Sequence, residues 1–600
     1  MSIVAMRRMT LVGLLAHKSE ILRRLQALGV AHVEDQGRVA GDEHREYAEL
    51  LAALDYLMAC PLRRRPQHSE PAPELGALLA EIRDNRLRRE ALQDRLTLLR
   101  RHRRELRPWG NFHFPPLEAL AGQRLWFYSV PLGQRQAVEA ITLPWQIVNR
   151  DHRSLYLVVI AAEEPPLEAV PFERSHTGGL SLSEVRAQED AAHVELERLE
   201  AERYLLTHWI FFLASQVARV SNEATLRHAA QGCSDLDTLF VLEAWVPARE
   251  LAAIARLCEH HDVALHHRPP LAEEEPPILL DNPEWAAGGE EAVGFFQLPG
   301  YRSWDPSLMV FYSFSLFFAV ILADAGYGLL CALICLAWRF RWQQSRLGRR
   351  LSTMGLVMSG AALVYGVLVG SYFGLTPPPG TWLARLHWFD MDDFDAMMTL
   401  SIAIGVMHLI LANVIAGWVA RPRRLALGNL GWVLIIGGGF LLWRASLDEA
   451  FVLGDSPWGY IILVGGLLVL AFSSSVPLDG WRHVLQRLGG GLSSLAELSQ
   501  AFGHALSYMR LFALGLSSAS LAVTFNQLAV NVRDGVDGGG TLLFLLILLL
   551  GHGLNFVLAL MGGVIHGLRL NLIEFLRWGV KGEGRAFKAL ANREETTWIK

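Results

Sequence analysis

Chemistry shows first where a permanent charge sits in a run otherwise fit for hydrocarbon. H-A-L-S-Y-M-R-L-F-A-L-G-L, His504 to Leu516, holds Arg510, and H-G-L-R-L-N-L-I-E-F, His566 to Phe575, holds Arg569. An arginine at membrane depth costs at least ~2.5 kcal/mol unless it faces water or a counter-charge. Neither position supplies a counter-charge nearby, and Glu497, thirteen residues before Arg510, cannot form an i,i+4 pair with it. The partner of Arg510 must come from another helix, another subunit or an aqueous cavity, so the residue reads as a fixed cation in an ion path. The competing reading is a snorkelling or helix-locking arginine, and it applies more readily to Arg569, eight residues before Arg577. Stepping 100° per residue puts Ser507, Ser517 and Thr524 within about 60° of Arg510, one polar stripe. The same construction from Arg569 collects His566, Gly562, Asn555 and His552 within about 100°.

The elements that carry these stripes are long. The last two apolar runs, 497–532 and 541–576, have about 35 residues each, ~50 Å as helix against a hydrocarbon core of ~30 Å, which implies tilt. Earlier runs fall at about 307–338, 352–374, 398–420, 429–446 and 457–474. The loops at 338–350, 420–424 and 481–487 and the tail after Arg577 are basic and expected to be cytoplasmic, whereas 391–395, 446–449 and 533–537 are acidic or mixed. A single crossing by 307–338 would force the first 300 residues outside. A double crossing removes the conflict, with D-A-G-Y-G, Asp324 to Gly328, as its hinge and Asp324 satisfying a freed amide. The expectation is about eight transmembrane helices with both termini cytoplasmic.

A hydrophobic content of 52% with 19% charged residues, and a mean hydropathy of +0.24, fits neither a purely soluble nor a purely embedded chain. The boundary sits near Pro299 to Pro306. The N-terminus lacks a signal-peptide pattern, so the hydrophilic half is expected in the cytosol. A net charge of −5 gives no argument for a nucleic-acid partner. No G-x-x-x-x-G-K-[ST] occurs, which excludes a P-loop ATPase, and the five cysteines show no C-x-x-C spacing. Residues 6–35 read strand, helix, strand, and further strands are expected at 124–130, 155–160 and 238–246. Leu92, Leu99 and Leu106 repeat every seven residues, as do Val185, Ala192, Leu199 and Leu206. Two such narrow seams can pair as an antiparallel coiled-coil arm with a globular lobe at each end. The competing reading is an ordinary helical domain with a leucine-lined core.

S-Y-M-R-L-F-A-L-G-L-S-S-A-S-L-A and H-G-L-R-L-N-L-I-E-F closely resemble the signature helices of the membrane-embedded stator of V-type and archaeal-type rotary ATPases, subunit a or subunit I, here in its bacterial form. The likeness covers nearly the whole chain: L-Q-A-L-G-V-A-H-V-E-D, L-R-P-W-G-N-F, V-L-E-A-W-V-P, P-P-I-L-L-D-N-P, A-D-A-G-Y-G, Y-G-V-L-V-G-S-Y-F-G-L and H-L-I-L-A-N-V-I-A-G follow in order. The resemblance implies that the last two helices press against a rotating proteolipid c-ring whose subunits each carry a buried carboxylate. Arg510 matches the essential arginine between two offset half-channels, Arg569 the supporting one, and Glu574 the acidic residue of L-R-L-x-x-x-E. His504 and His566 fall on polar positions lining the half-channels. The chain departs from the family at Ala559, where eukaryotic members are acidic, at Ser518, where a histidine is usual, and at Glu497, one residue off the channel glutamate; His552, Asn555 and His566 are the substitutes expected on the outer side.

The fold expected with this resemblance is an N-terminal cytosolic α+β domain, 1–300, whose two ferredoxin-like lobes (about 1–70/230–300 and 110–180) are joined by an antiparallel coiled coil (about 72–106 and 182–222). An ion-translocating α-helical membrane domain, 301–580, and a cytosolic tail, 581–600, follow. Expected partners are the c-ring, peripheral stalks, the central-stalk or ring-cap subunit and the lipid bilayer of a bacterial inner membrane, with no cofactor, no metal and no ATP site in this chain. The physics agrees: a ring carboxylate enters hydrocarbon only when protonated and loses its proton beside a guanidinium that keeps its own. A secondary transporter with a cytosolic regulatory domain would show repeated halves with broken helices, and none is found. A membrane-anchored scaffold with incidental arginines is the other alternative.

Overall fold

The computed structural model describes residues 2–34, 41–65, 73–112, 118, 120–175, 179–391, 393–420, 423–447, 456–474, 476, 481–536, 539–580 and 582–592. Parts of the loops read above as flanking the spans (392, 421–422, 448–449 and 537) and the end of the tail lie outside these residues. In chain order the elements begin β1 (Met6–Leu14), α1 (Lys18–Leu28), β2 (His32–Val33), α2 (Gly41–Met58), α3 (Leu75–Leu106), β3 (Arg124–Pro131), α4 (Arg135–Glu139), β4 (Trp145–Arg150) and β5 (Ser154–Ala161). They continue α5 (Leu182–Leu206), α6 (Ile210–Gln231), β6 (Ser234–Leu236), β7 (Leu239–Pro247), α7 (Leu251–His260), β8 (Ala264–Arg268) and α8 (Gly288–Gly294). The helices after that are α9 (Ser307–Leu322), α10 (Ala325–Trp342), α11 (Arg346–Val369), α12 (Phe394–Val419), α13 (Leu425–Ala445), α14 (Pro457–Phe472), α15 (Trp481–Ala496), α16 (Leu498–Ser507), α17 (Met509–Gly535), α18 (Gly540–Arg569), a π-helical turn at Leu570–Phe575, and α19 (Leu576–Gly579).

The chain divides into two units, one of residues 15–29, 35–238 and 590–600, the other of 1–14, 30–34 and 239–589. In the first, α3 and α5 pair along their heptad seams, with Leu96, Leu99 and Leu106 buried against Leu182, Val185 and Ala192. The pairing is antiparallel, because Asn85 near the start of α3 donates to the Leu199 carbonyl (3.1 Å) while Arg103 near its end meets Glu189 (3.0 Å). A capping box, Ser181 with Glu184, starts α5. The second heptad stretch does not run on to 222 as one helix. Thr207–Trp209 forms a 3₁₀ turn, and α6 then buries Leu213 and Val217 with Leu50, Leu54 and Leu57 of α2. Beyond the other end of the pair, β3, β5 and β4 form a three-stranded antiparallel sheet over Trp126, Leu157 and Val159.

In the second unit β2, β7, β1 and β8 lie side by side, all antiparallel, with β1 paired to β7 from Met6↔Pro247 to Leu14↔Leu239. Alternation along β1 buries Met9 and Leu11, and Met6 is buried at its start. Among the described residues, five helical stretches are long and apolar enough to cross a membrane: Arg346–Val369, Phe394–Val419, Leu425–Ala445, Trp481–Gly535 and Gly540–Gly579; α9 and α14 are shorter apolar helices. The 307–338 run breaks where D-A-G-Y-G stands. Ala323 adopts a left-handed φ of 47°, and the buried Asp324 carboxylate accepts from the amides of Tyr327, Phe373 and Gly374 (3.0 Å each) and from Ser371 Oγ (2.6 Å). Gly366 lets α11 approach this break, since a Cβ there would stand 2.1 Å from Ala325 N.

Two expected elements of this unit differ from the structure. Residues 481–487, read as a basic loop, open α15 instead, because Arg487 is buried over the Phe472 ring and donates from Nε to the Ala471 carbonyl (2.5 Å), satisfying the end of α14. The 497–532 run is divided at Tyr508, between α16 and α17, where the backbone keeps a right-handed helical conformation (φ −73°, ψ −15°).

Candidate functional site

Arg510 lies in the first turn of α17, half-buried, and its Nη2 donates to Ser507 Oγ three residues back at 3.1 Å. Ser507 in turn donates to Glu574 Oε1 at 2.6 Å. Glu574 is 2% exposed, and it faces inward because the π-helical turn inserts one extra residue into the helical path. Asn571 anchors that turn: its Nδ2 donates to the Gly567 carbonyl (2.9 Å) and its Oδ1 accepts from Ser313 Oγ of α9. The hydroxyl of Ser507 thus stands between guanidinium and carboxylate. Arg510 Nη1 and Glu574 Oε2 are both buried without a hydrogen-bond partner among the described residues. A buried cation with an unused donor is costly alone.

The other expected residues are arranged unequally around this centre. His566 feels the charges of both Arg510 and Arg569, and its Nδ1 is buried without a partner among the described residues. His504 stands edge-on to Trp578 (6.5 Å) and feels Glu574 and Arg577. Arg569 ends α18 exposed, and Glu497 is exposed just before α16. No described contact brings either into the Arg510–Ser507–Glu574 chain.

His552 and Asn555 form a second centre one turn apart on α18. Tyr327 of α10 joins them, with its hydroxyl 2.7 Å from His552 Nδ1 and accepting from Asn555 Nδ2 at 3.1 Å. Asn526 Oδ1 lies 2.9 Å from His552 Nε2, while Asn555 also donates to the Ser518 carbonyl (2.8 Å) and accepts from its hydroxyl (3.3 Å). Sequence reasoning missed Tyr327 and Asn526 as partners. The signal for Tyr327 was its place in D-A-G-Y-G at the head of a helix; nothing along the chain pairs Asn526 with His552. A third missed group is His408 of α12, bonded through Nδ1 to the Tyr508 hydroxyl at 2.8 Å.

These features define a multi-helix membrane protein with an arginine–serine–glutamate site built from its last helices. Among known proteins, the chain is 27% identical over 443 residues to the V-type ATP synthase subunit I of Chlamydia pneumoniae, covering 62% of this chain and 63% of that one. It is 28% identical over 455 residues to the A-type ATP synthase subunit I of Methanocaldococcus jannaschii (69% and 64% covered) and 24% identical over 615 residues to the V-type ATP synthase subunit I 1 of Treponema pallidum (96% and 97%). The homologues of this chain are named V-type or A-type ATP synthase subunit I. The chain spans just under two thirds of the length of the first two of these relatives. No family model matches it. A solved cytoplasmic N-terminal domain of subunit I, homolog of subunit a, of V-ATPase is 14% identical and covers 44% of this chain and 100% of that one, at a TM-score of 0.23 that carries no argument about fold.

Proposed function

We propose that this chain is the stator subunit of a rotary V/A-type ATPase, forming two offset ion half-channels against a proteolipid ring and coupling proton or Na⁺ movement to ATP hydrolysis or synthesis elsewhere in the complex. The observation that carries the reading is Arg510: a half-buried guanidinium, tethered through Nη2 to Ser507, in a helical stretch long and apolar enough to cross a membrane. A ring carboxylate arriving opposite the Arg510 guanidinium is stabilised as the anion and releases its ion; moving on into hydrocarbon, it must be neutralised first. Glu574 with His504 serves one half-channel, and His566 with the His552–Asn555 centre serves the other. Arg569 supports the anion's approach, and Glu497 marks a channel mouth.

The order β2-β7-β1-β8 supports a ferredoxin-like lobe for about 1–70/230–300, and the β3-β5-β4 sheet lies in the second, 110–180. With the coiled coil, these lobes dock peripheral stalks and the ring-cap subunit on the cytoplasmic side of a bacterial inner membrane. Eight crossings follow if α9, α10 and α14 also span the bilayer, leaving both termini and the tail from 581 cytoplasmic.

The test is Arg510→Ala and Arg510→Lys in the whole complex in inverted vesicles. Both are expected to assemble and to abolish ATP-driven ion uptake. Uptake at the wild-type rate in Arg510→Ala would sink the proposal.

A further inference from the structure

His408, in the H-L-I-L-A-N stretch of α12, is a buried titratable side chain to which the ion path above assigns no task. It touches both halves of the site. Its Nδ1 shares the 2.8 Å hydrogen bond with the hydroxyl of Tyr508, the residue between Ser507 and Met509 at the turn from α16 to α17. Its ring lies parallel to that of Phe575, at 4.1 Å between centroids and 0° between planes, and Phe575 follows Glu574 in the π-helical turn. Phe317 closes the group edge-on to both rings, 5.0 Å from His408 and 5.7 Å from Tyr508. Gly405 admits Tyr508 to α12, since a Cβ there would stand 2.4 Å from the ring's Cγ.

Packing alone does not account for a histidine here. His408 Nε2 is buried without a partner among the described residues, a cost that a phenylalanine of similar shape would avoid. What the imidazole adds is the bond to Tyr508. Arg510 and Glu574 sit on two different elements, each beside an irregularity in its helix, and small changes at either would lengthen the Ser507–Glu574 contact. Resting on the reading of Arg510 and Glu574 as groups of the ion path, we propose that His408 is a positioning residue. It fixes the Tyr508 turn and the π-helical turn against each other, and so sets the register of Ser507 between guanidinium and carboxylate.

The test compares His408→Phe, Tyr508→Phe, the double variant, His408→Asn and Arg510→Ala in the assembled complex, reading ATP-driven ion uptake per assembled complex. Misplacing a reacting pair by a fraction of an ångström to 1 Å supports an expected loss of about tenfold or more in His408→Phe and Tyr508→Phe. The double variant should be no worse than either, because both remove one bond. His408→Asn, whose Oδ1 falls where Nδ1 stands, should stay within about threefold of wild type, a rescue that ring packing would not produce. Arg510→Ala inactive with His408→Phe and Tyr508→Phe at wild-type rates overturns the positioning role alone. So does His408→Asn as impaired as His408→Phe. Arg510→Ala that still transports overturns the parent reading and this one with it.

Discussion

Ser507 is where the chemistry of the site is decided at the scale of one residue. Arginine and glutamate brought together in a low-dielectric site would pair directly, and a closed ion pair offers little net charge to a third group. Here the serine hydroxyl accepts from one and donates to the other, leaving one nitrogen and one oxygen unused. Ser507→Ala should let the guanidinium swing toward Glu574 and lower ATP-driven ion uptake by about tenfold at unchanged assembly, whereas Ser507→Thr, which keeps the hydroxyl, should retain most of it. Equal uptake in Ser507→Ala and wild type would remove the spacer from the mechanism.

Helix ends, more than helix faces, carry the strain and the satisfaction at the scale of the element. Asp324 collects four donors at the α9–α10 break, and Asp324→Ala leaves them unpaired in a buried place. That should cost on the order of 3 kcal/mol, visible as a lowered detergent melting temperature, with Asp324→Asn intermediate. Outside the membrane helices, Glu274 follows β8 and accepts from Arg268 (2.6 and 2.7 Å) and the Leu271 amide (2.8 Å), with Arg8 of β1 also in contact. The Arg268 guanidinium holds its carboxyl down at about 2, against an ordinary 4.5. A depressed carboxylate contributes stability that is full above about pH 4.5 and fades as pH falls toward about 2. Melting curves of wild type and Glu274→Gln should therefore converge across that window and differ above it.

One face of the whole molecule asks for a partner. Leu546, Leu550, Leu554 and Val557 of α18 are exposed on a single side, in a helix whose opposite side packs on α9 and α17 through Gly563, Gly567 and Asn555. Under the proposed function that side meets the ring. Leu554→Arg should reduce co-purification of small proteolipids about tenfold or more while the chain still reaches the membrane, and unchanged recovery would assign the face to lipid.

The sequence by itself determined the apolar runs, the heptad seams of α3 and α5, the break at Asp324 and the isolated charge of Arg510, because periodicity, chain reversal and the cost of a charge in hydrocarbon act over a few neighbouring residues; Glu574 was legible only through the family resemblance. It did not determine the helical start of α15, where Arg487 reaches the end of α14, nor the turn at Tyr508. Those depend on side chains from other helices. The separation of Arg569 and Glu497 from the Arg510 chain, and the links from Tyr327 to Asn555 and from His408 to Tyr508, were likewise settled only by the tertiary structure. Residues one hundred to more than two hundred positions apart become hydrogen-bond partners through packing alone, and no spacing along the chain encodes that distance.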